Sequence, residues 1–105
     1  MTNPLKLVIA QVNPTVGALN ENADHALRIM AEMEAKGNDL LVFPEMFIPG
    51  YPAQDLILED HFIQQNQKTV EQLALASGEM LTLIGAIHHD GTDTYNGVAV
   101  LQNGK

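Results

Sequence analysis

Cysteine is absent from the 105 residues, which excludes disulfides, thiolate metal sites and a cysteine nucleophile within them. Positive charge is scarce: five Lys and Arg stand against thirteen Asp and Glu, for a net charge of −8. A surface for nucleic acid or anionic lipid needs clustered Lys and Arg, so neither partner is expected. No apolar run approaches the ~20 residues that span a bilayer. The opening stretch MTNPLKLVIAQ has one Lys and too short an apolar segment for a secretory signal, and a cytoplasmic protein is expected. Phosphate-binding glycine loops are also missing: Gly17 stands alone, and Gly104-Lys105 lacks the rest of a P-loop. With 46% hydrophobic and 17% charged residues, what remains is an ordinary globular composition, long enough for one modest core.

The chain alternates short aliphatic runs with helical patterns. LKLVIAQ, residues 5–11, has strand length and lies between Pro4 and the Asn13-Pro14 turn signal. Residues 19–37 carry Ala23, Ala26, Leu27, Met30 and Met33 on one helical face. Asn20 is the expected N-cap, Glu21 and Asp24 suit the positive end of the dipole, and Gly37 suits the stop. DLLVF, residues 39–43, is the second strand. Strand, helix and strand in this order predict a parallel βαβ unit, and continuous rather than alternating apolarity predicts a sheet covered on both faces. A second helix is expected over residues 60–78, with Phe62, Ile63, Val70, Leu73 and Ala74 buried and Asn66 interrupting the stripe. Two strands follow, residues 80–88 and 94–102, turning at Asp90-Gly91. Asn103-Gly104 is a strong two-residue hairpin signal with only Lys105 after it, so a fragment of a longer protein is expected.

Between the second strand and the second helix lies PEMFIPGYPAQDL, whose three prolines and one glycine fix the path of the chain around the carboxylate of Glu45. Ligands of open parallel sheets gather beyond the carboxyl ends of the strands. Pro44 ends the ladder there because it has no N–H to donate. A carboxylate beside Phe47 and Tyr51 would lose hydration, and desolvation raises a carboxylic pKa toward the range useful for proton transfer. The bland alternative is a solvated loop acid, the commoner fate of an isolated Glu after a strand. Tyr51 is either a substrate-pocket residue or an aromatic wedged between prolines, and Phe47 either walls the pocket or packs. His88 and His89 point to opposite faces of a strand and would not chelate together; with Asp90 they make a polar cluster near a turn. His25 and His61 receive no role, and Asn96 holds either the sheet edge or a loop near the site.

DLLVFPEMFIPGYPAQDL, with IAQVNPTVGALNENADHAL before it, resembles the nitrilase, or carbon–nitrogen hydrolase, superfamily. The shared features are the AQ-ending first strand, the Asn-capped helix and the FPE block at residues 43–45. GYPAQDL, residues 50–56, resembles the glutaminase branch found in glutamine-dependent NAD+ synthetases, and GAIHHDGTDTYNGVAVLQNGK fits the paired strands that precede that family's catalytic lysine. The resemblance implies a four-layer α-β-β-α sandwich, of which this α/β chain supplies the N-terminal portion. It also implies a chemistry: a cysteine thiolate attacks the amide of glutamine, a glutamate serves as general base and then acid, and a lysine stabilises the oxyanion. By its place in the motif Glu45 takes the glutamate's role, and Tyr51 would bind substrate. Lys105 precedes the expected lysine, and no residue replaces the cysteine, so the 105 residues alone are expected to show no turnover. ATP and Mg would act in an absent synthetase domain that amidates nicotinic acid adenine dinucleotide, in a homo-oligomer. The alternatives are a stand-alone aliphatic amidase or carbamoylase and, in another class, a non-catalytic α/β binding or assembly module.

Overall fold

The computed structural model describes residues 5–15, 18–45, 47–50 and 60–105. In chain order these form β1 (Leu7–Ile9), α1 (Leu19–Ala35), β2 (Leu40–Val42), α2 (Asp60–Ala76), β3 (Leu81–His89) and β4 (Thr94–Leu101). The sheet order is β1-β2-β3-β4. β1 pairs with β2, and β2 with β3, in parallel; β3 and β4 form an antiparallel hairpin. All six expected elements are present, with β1 and β2 shorter at both ends than the aliphatic runs that encode them.

The first helix starts differently from its sequence signal. Its N-cap position is Ala18, which makes no side-chain cap, and Asn20 lies inside the first turn. The carboxamide that organises this end is Asn22, buried on the inner face. It accepts from the Thr15 N–H at 2.9 Å and donates to the Thr15 carbonyl at 2.8 Å, closing the preceding loop from within the helix. The other end follows expectation. Gly37 takes φ 80°, its N–H bonds the Glu34 carbonyl and the Asn38 N–H bonds the Met33 carbonyl, the paired bonds of a Schellman stop. Ala23, Ala26 and Met30 form the buried face.

The buried stripe of α2 is Phe62, Asn66, Thr69 and Leu73, half of it polar. Thr69 returns its hydroxyl to the Gln65 carbonyl one turn back, which satisfies it locally. Asn66 does something else. Its Nδ2 donates to the Ile87 carbonyl at 2.9 Å, and its Oδ1 accepts from the Ile87 N–H at 3.4 Å. A side-chain amide thus pairs with a strand peptide as a neighbouring strand would. The strand needs it because β2 spans only three residues and β3 nine. A buried peptide group left without a partner is costly.

Both helices lie on one side of the sheet. Val8, Leu41, Thr82 and Leu101 form a row across the four strands, and Leu41 and Leu101 join Ala26, Met30 and Leu73 in one core cluster. The next row, Ile9, Val42, Leu83 and Val100, belongs to the opposite face, where Leu7 is 50%, Ile9 62%, Val98 65% and Val100 60% exposed. The expectation of a sheet covered on both faces is therefore corrected for this chain: the described residues build one helical layer and one sheet layer. The aliphatic outer face remains open, which accounts for apolarity on both sides of strands that only one layer covers.

Asn66→Leu keeps the branched outline of the side chain and removes both bonds to Ile87. Were position 66 an ordinary apolar contact, leucine would be neutral or stabilising there. With the β3 edge left unpaired, urea unfolding should instead show a loss of about 2–4 kcal/mol.

Candidate active site

The parallel strands deliver their connections to one end of the sheet. The segment after β1 and the segment after β2 meet there: Gln11, Val12, Asn13, Pro14, Pro44 and Glu45 line a cavity of about 440 Å3. This is the position where open parallel sheets bind ligands.

The path after β2 is fixed by backbone bonds and by burial. The Phe43 N–H donates to the Leu83 carbonyl at 2.8 Å, and the Ile48 N–H donates to the Gly85 carbonyl at 3.0 Å. Asn22 of α1 reaches the same segment, its Nδ2 donating to the Ile48 carbonyl at 2.9 Å. Phe47 and Ile48 are fully buried, and the Phe43 and Phe47 rings meet at 4.9 Å in a tilted pair. His25 lies beside Phe47, with ring centroids 6.2 Å apart. Glu45 is therefore held between two anchors, Phe43 and Phe47, that both point into the core.

Glu45 itself is exposed. The expected desolvation beside Phe47 is not found, because the ring that was to shade the carboxylate is turned inward to fill the core. Phe47 packs; it does not wall a pocket. Tyr51, and with it most of the GYPAQDL stretch, lies outside the described residues. What does reach Glu45 is Asn96 of β4, whose Nδ2 donates a hydrogen bond to Glu45 Oε1. Of the two roles open to Asn96, holding the sheet edge or holding a loop near the site, its bond to Glu45 fits the second. Asn96 sits opposite Ile87 in the β3–β4 register, the residue whose peptide Asn66 secures. Asn22 and Asn66 were not singled out for the site by sequence reasoning. The available signal was a carboxamide at a core-facing helical position: Asn22 precedes Ala26 and Met30 by one and two turns, and Asn66 sits between Phe62 and Leu73.

The His88-His89-Asp90 cluster separates as strand alternation requires. His88 stacks on Tyr95 with centroids 6.1 Å apart, while His89 Nδ1 lies 3.0 Å from the Thr94 hydroxyl. Asp90 closes the hairpin turn. Its Oδ1 accepts from the Thr92 and Asp93 N–H groups, both at 2.8 Å, and Gly91 supplies φ 96°. Among the described residues no three His, Cys, Asp or Glu side chains converge on a metal position. No described helix is long and apolar enough to cross a membrane.

A family profile described as carbon-nitrogen hydrolase matches residues 6–105. Over 103 residues the chain is 39% identical to the glutamine-dependent NAD(+) synthetase of Thermotoga maritima, covering 96% of this chain and 18% of the relative. It is 39% identical over 107 residues to the glutamine-dependent NAD(+) synthetase of Rhodobacter capsulatus, covering 100% of this chain and 19% of the relative. Among solved structures, a glutamine-dependent NAD(+) synthetase from Cytophaga hutchinsonii superposes with a TM-score of 0.89 at 25% identity, over 95% of this chain and 17% of that one. The two-layer α/β arrangement is thus that of the nitrilase-like fold, and the chain spans less than a fifth of the length of these relatives.

The Asp90 turn has a definite pH signature. The Asp93 and Thr92 N–H groups, with lesser help from the Tyr95 hydroxyl and His89, hold the Asp90 carboxyl below the usual carboxylate range. A depressed folded pKa gives a contribution that is present above the unfolded pKa and lost as pH falls through the folded one. Followed by the amide resonances of Thr92 and Asp93, the turn should stay intact at pH 5 and loosen only below about pH 4. Asp90→Asn should remove that acid transition, and a midpoint at or above the ordinary Asp range would contradict the turn geometry.

Proposed function

The chain belongs to the carbon–nitrogen hydrolase family, and we propose that it is the N-terminal part of the glutaminase domain of a glutamine-dependent NAD+ synthetase, with Glu45 as its general base. The observation that carries this reading is the placement of Glu45. The one acid of the FPE block stands at the carboxyl end of the parallel strands, on a segment anchored by Phe43 and Phe47, with its carboxylate held by Asn96. Matches along nearly the whole chain to synthetases at 39% identity favour this branch over a stand-alone amidase or carbamoylase. A carboxylate tethered across 51 residues speaks for chemistry rather than a non-catalytic module.

The reaction needs one group that moves a proton both ways. Glu45 takes the proton of a cysteine thiol outside this chain as the sulfur attacks the glutamine side-chain carbonyl. It returns that proton to the departing ammonia, leaving a thioester. It then takes a proton from water as the thioester is hydrolysed to glutamate, and restores the thiol. A lysine outside this chain would stabilise the tetrahedral oxyanion. Tyr51 is the proposed contact to glutamine.

On this reading the ammonia passes to a separate ATP- and Mg-using domain that amidates nicotinic acid adenine dinucleotide, in a cytoplasmic homo-oligomer. The Gly104-Lys105 pair of this chain is engaged in a turn. The Gly104 N–H is spent on Ser77, at 3.2 Å from its carbonyl and 3.1 Å from its hydroxyl, and Lys105 closes the hairpin with Gln102.

In the intact enzyme Glu45→Gln should cut glutamine-driven NAD+ synthesis by roughly 10²- to 10⁴-fold while ammonia-driven synthesis survives. The two nitrogen sources, assayed side by side on one preparation, separate the outcomes. Equal loss with both would mean that Glu45 supports the fold and would remove it from the mechanism.

A further inference from the structure

We propose that Asn96 is a positioning residue for Glu45, fixing the orientation of its carboxylate from the neighbouring β-hairpin. The inference rests on the reading of Glu45 as the proton-transfer group and goes beyond it by naming what aims that group. The side chain of a glutamate has three rotatable bonds and, in an exposed loop, samples many orientations. A general base works only when one oxygen lies within hydrogen-bond reach of the proton it takes. Something has to restrict it.

Asn96 meets that need in three ways. It is the one side chain among the described residues that donates to the Glu45 carboxylate, and it binds Oε1, leaving Oε2 for the reacting groups. It projects from a strand rather than a loop, and groups mounted on regular elements are held more closely than groups on loops. Its support is traceable: Asn96 lies opposite Ile87, and both polar groups of the Ile87 peptide are gripped by the buried Asn66 of α2. The line Asn66, Ile87, Asn96, Glu45 therefore runs from the core to the carboxylate.

The choice of a carboxamide also has a chemical reason. A lysine or arginine at this place would orient the carboxylate but also hold it ionised, suppressing the return of the proton. A neutral donor orients it without adding a charge. The described residues around Glu45 in its cavity, Gln11, Val12, Asn13, Pro14 and Pro44, are uncharged, so a shift in the protonation of Glu45 can be read without a second charged neighbour among them.

The test uses the intact enzyme carrying Asn96→Ala, the nearly isosteric Asn96→Asp, and Glu45→Gln as reference, each assayed with glutamine and with ammonia. With glutamine, Asn96→Ala should lose about 10²-fold in kcat at a nearly unchanged KM, while the ammonia-driven rate stays at the parent value. The acid limb of the kcat/KM profile for glutamine should move to higher pH in Asn96→Ala. It should move further in Asn96→Asp, where a second carboxylate faces the first. A parent-like kcat and acid limb in both Asn96 variants, with Glu45→Gln inactive toward glutamine, would overturn the positioning role alone. Full glutamine-driven activity in Glu45→Gln would overturn the underlying reading as well. Equal losses with both nitrogen sources in both Asn96 variants would make Asn96 a structural residue and also overturn the proposal.

Discussion

The structure turns on a mismatch of strand lengths. β3 runs for nine residues beside a β2 of three, and the edge of β3 that outlasts its partner is buried, with Gly85, Ala86 and Ile87 all inside. Backbone donors and acceptors cannot be left bare there. The edge is completed by pieces that are not strands. Phe43 and Ile48 give their N–H groups to the carbonyls of Leu83 and Gly85, and Asn66 gives its whole carboxamide to Ile87. Satisfying that edge forces the segment after β2 to run alongside β3, and this fixes where Glu45 comes out.

The rest of the site follows from the same requirement. Once Ile48 is bound to β3 its carbonyl is free to accept from Asn22, which also closes the loop before α1 through Thr15. The connections after β1 and β2 are thereby joined through one side chain, 3% exposed. Phe47, carried inward by the bonded Ile48, fills the space under the turn and meets Phe43 in a tilted pair. The prolines of the segment add stiffness, since each fixes one backbone angle. The side chain of Glu45 still needs a restraint, and β4 supplies it through Asn96.

The sheet's two faces serve different ends. The helix-covered face holds the core, from Ala26 and Met30 on α1 to Leu73 on α2 and Leu101 on β4. The open face carries Leu7, Ile9, Val98 and Val100 at half exposure or more. That aliphatic surface is the one a sandwich of the nitrilase type buries between its sheets, and it agrees with the span of this chain, less than a fifth of its relatives. At the far end of the sheet a type I′ turn is already formed. Asn103 and Gly104 both take positive φ, 55° and 82°, and Gln102 and Lys105 exchange both backbone bonds.

Much of this was legible in the sequence because it is local. Apolar runs bounded by Pro and Gly placed four strands. The 3.6-residue spacing of Ala23, Ala26, Met30 and Met33 placed the first helix, and Gly37 its stop. Asn103-Gly104 specified its turn, since only residues tolerant of positive φ adopt it. Pro44 ended the second strand with Glu45 just beyond. Tertiary structure decided what no local pattern encodes. Asn20 looked like the cap by propensity, but Asn22, two residues on, found partners in Thr15 and Ile48. Asn66 looked like a flaw in an apolar stripe until β3 ran past β2. Phe47 was expected to shade Glu45, but its ring was worth more in the core, where a fully buried aromatic removes its surface from water. Asn96 acquired its partner only when β4 folded back to bring residues 51 positions apart into contact. For Asn22 and Asn66 the deciding term is a bond that completes a buried polar group, for Phe47 the burial of its ring, and for Asn96 a bond across the fold. The partners of the three asparagines lie elsewhere along the chain, and local pattern carries no record of them.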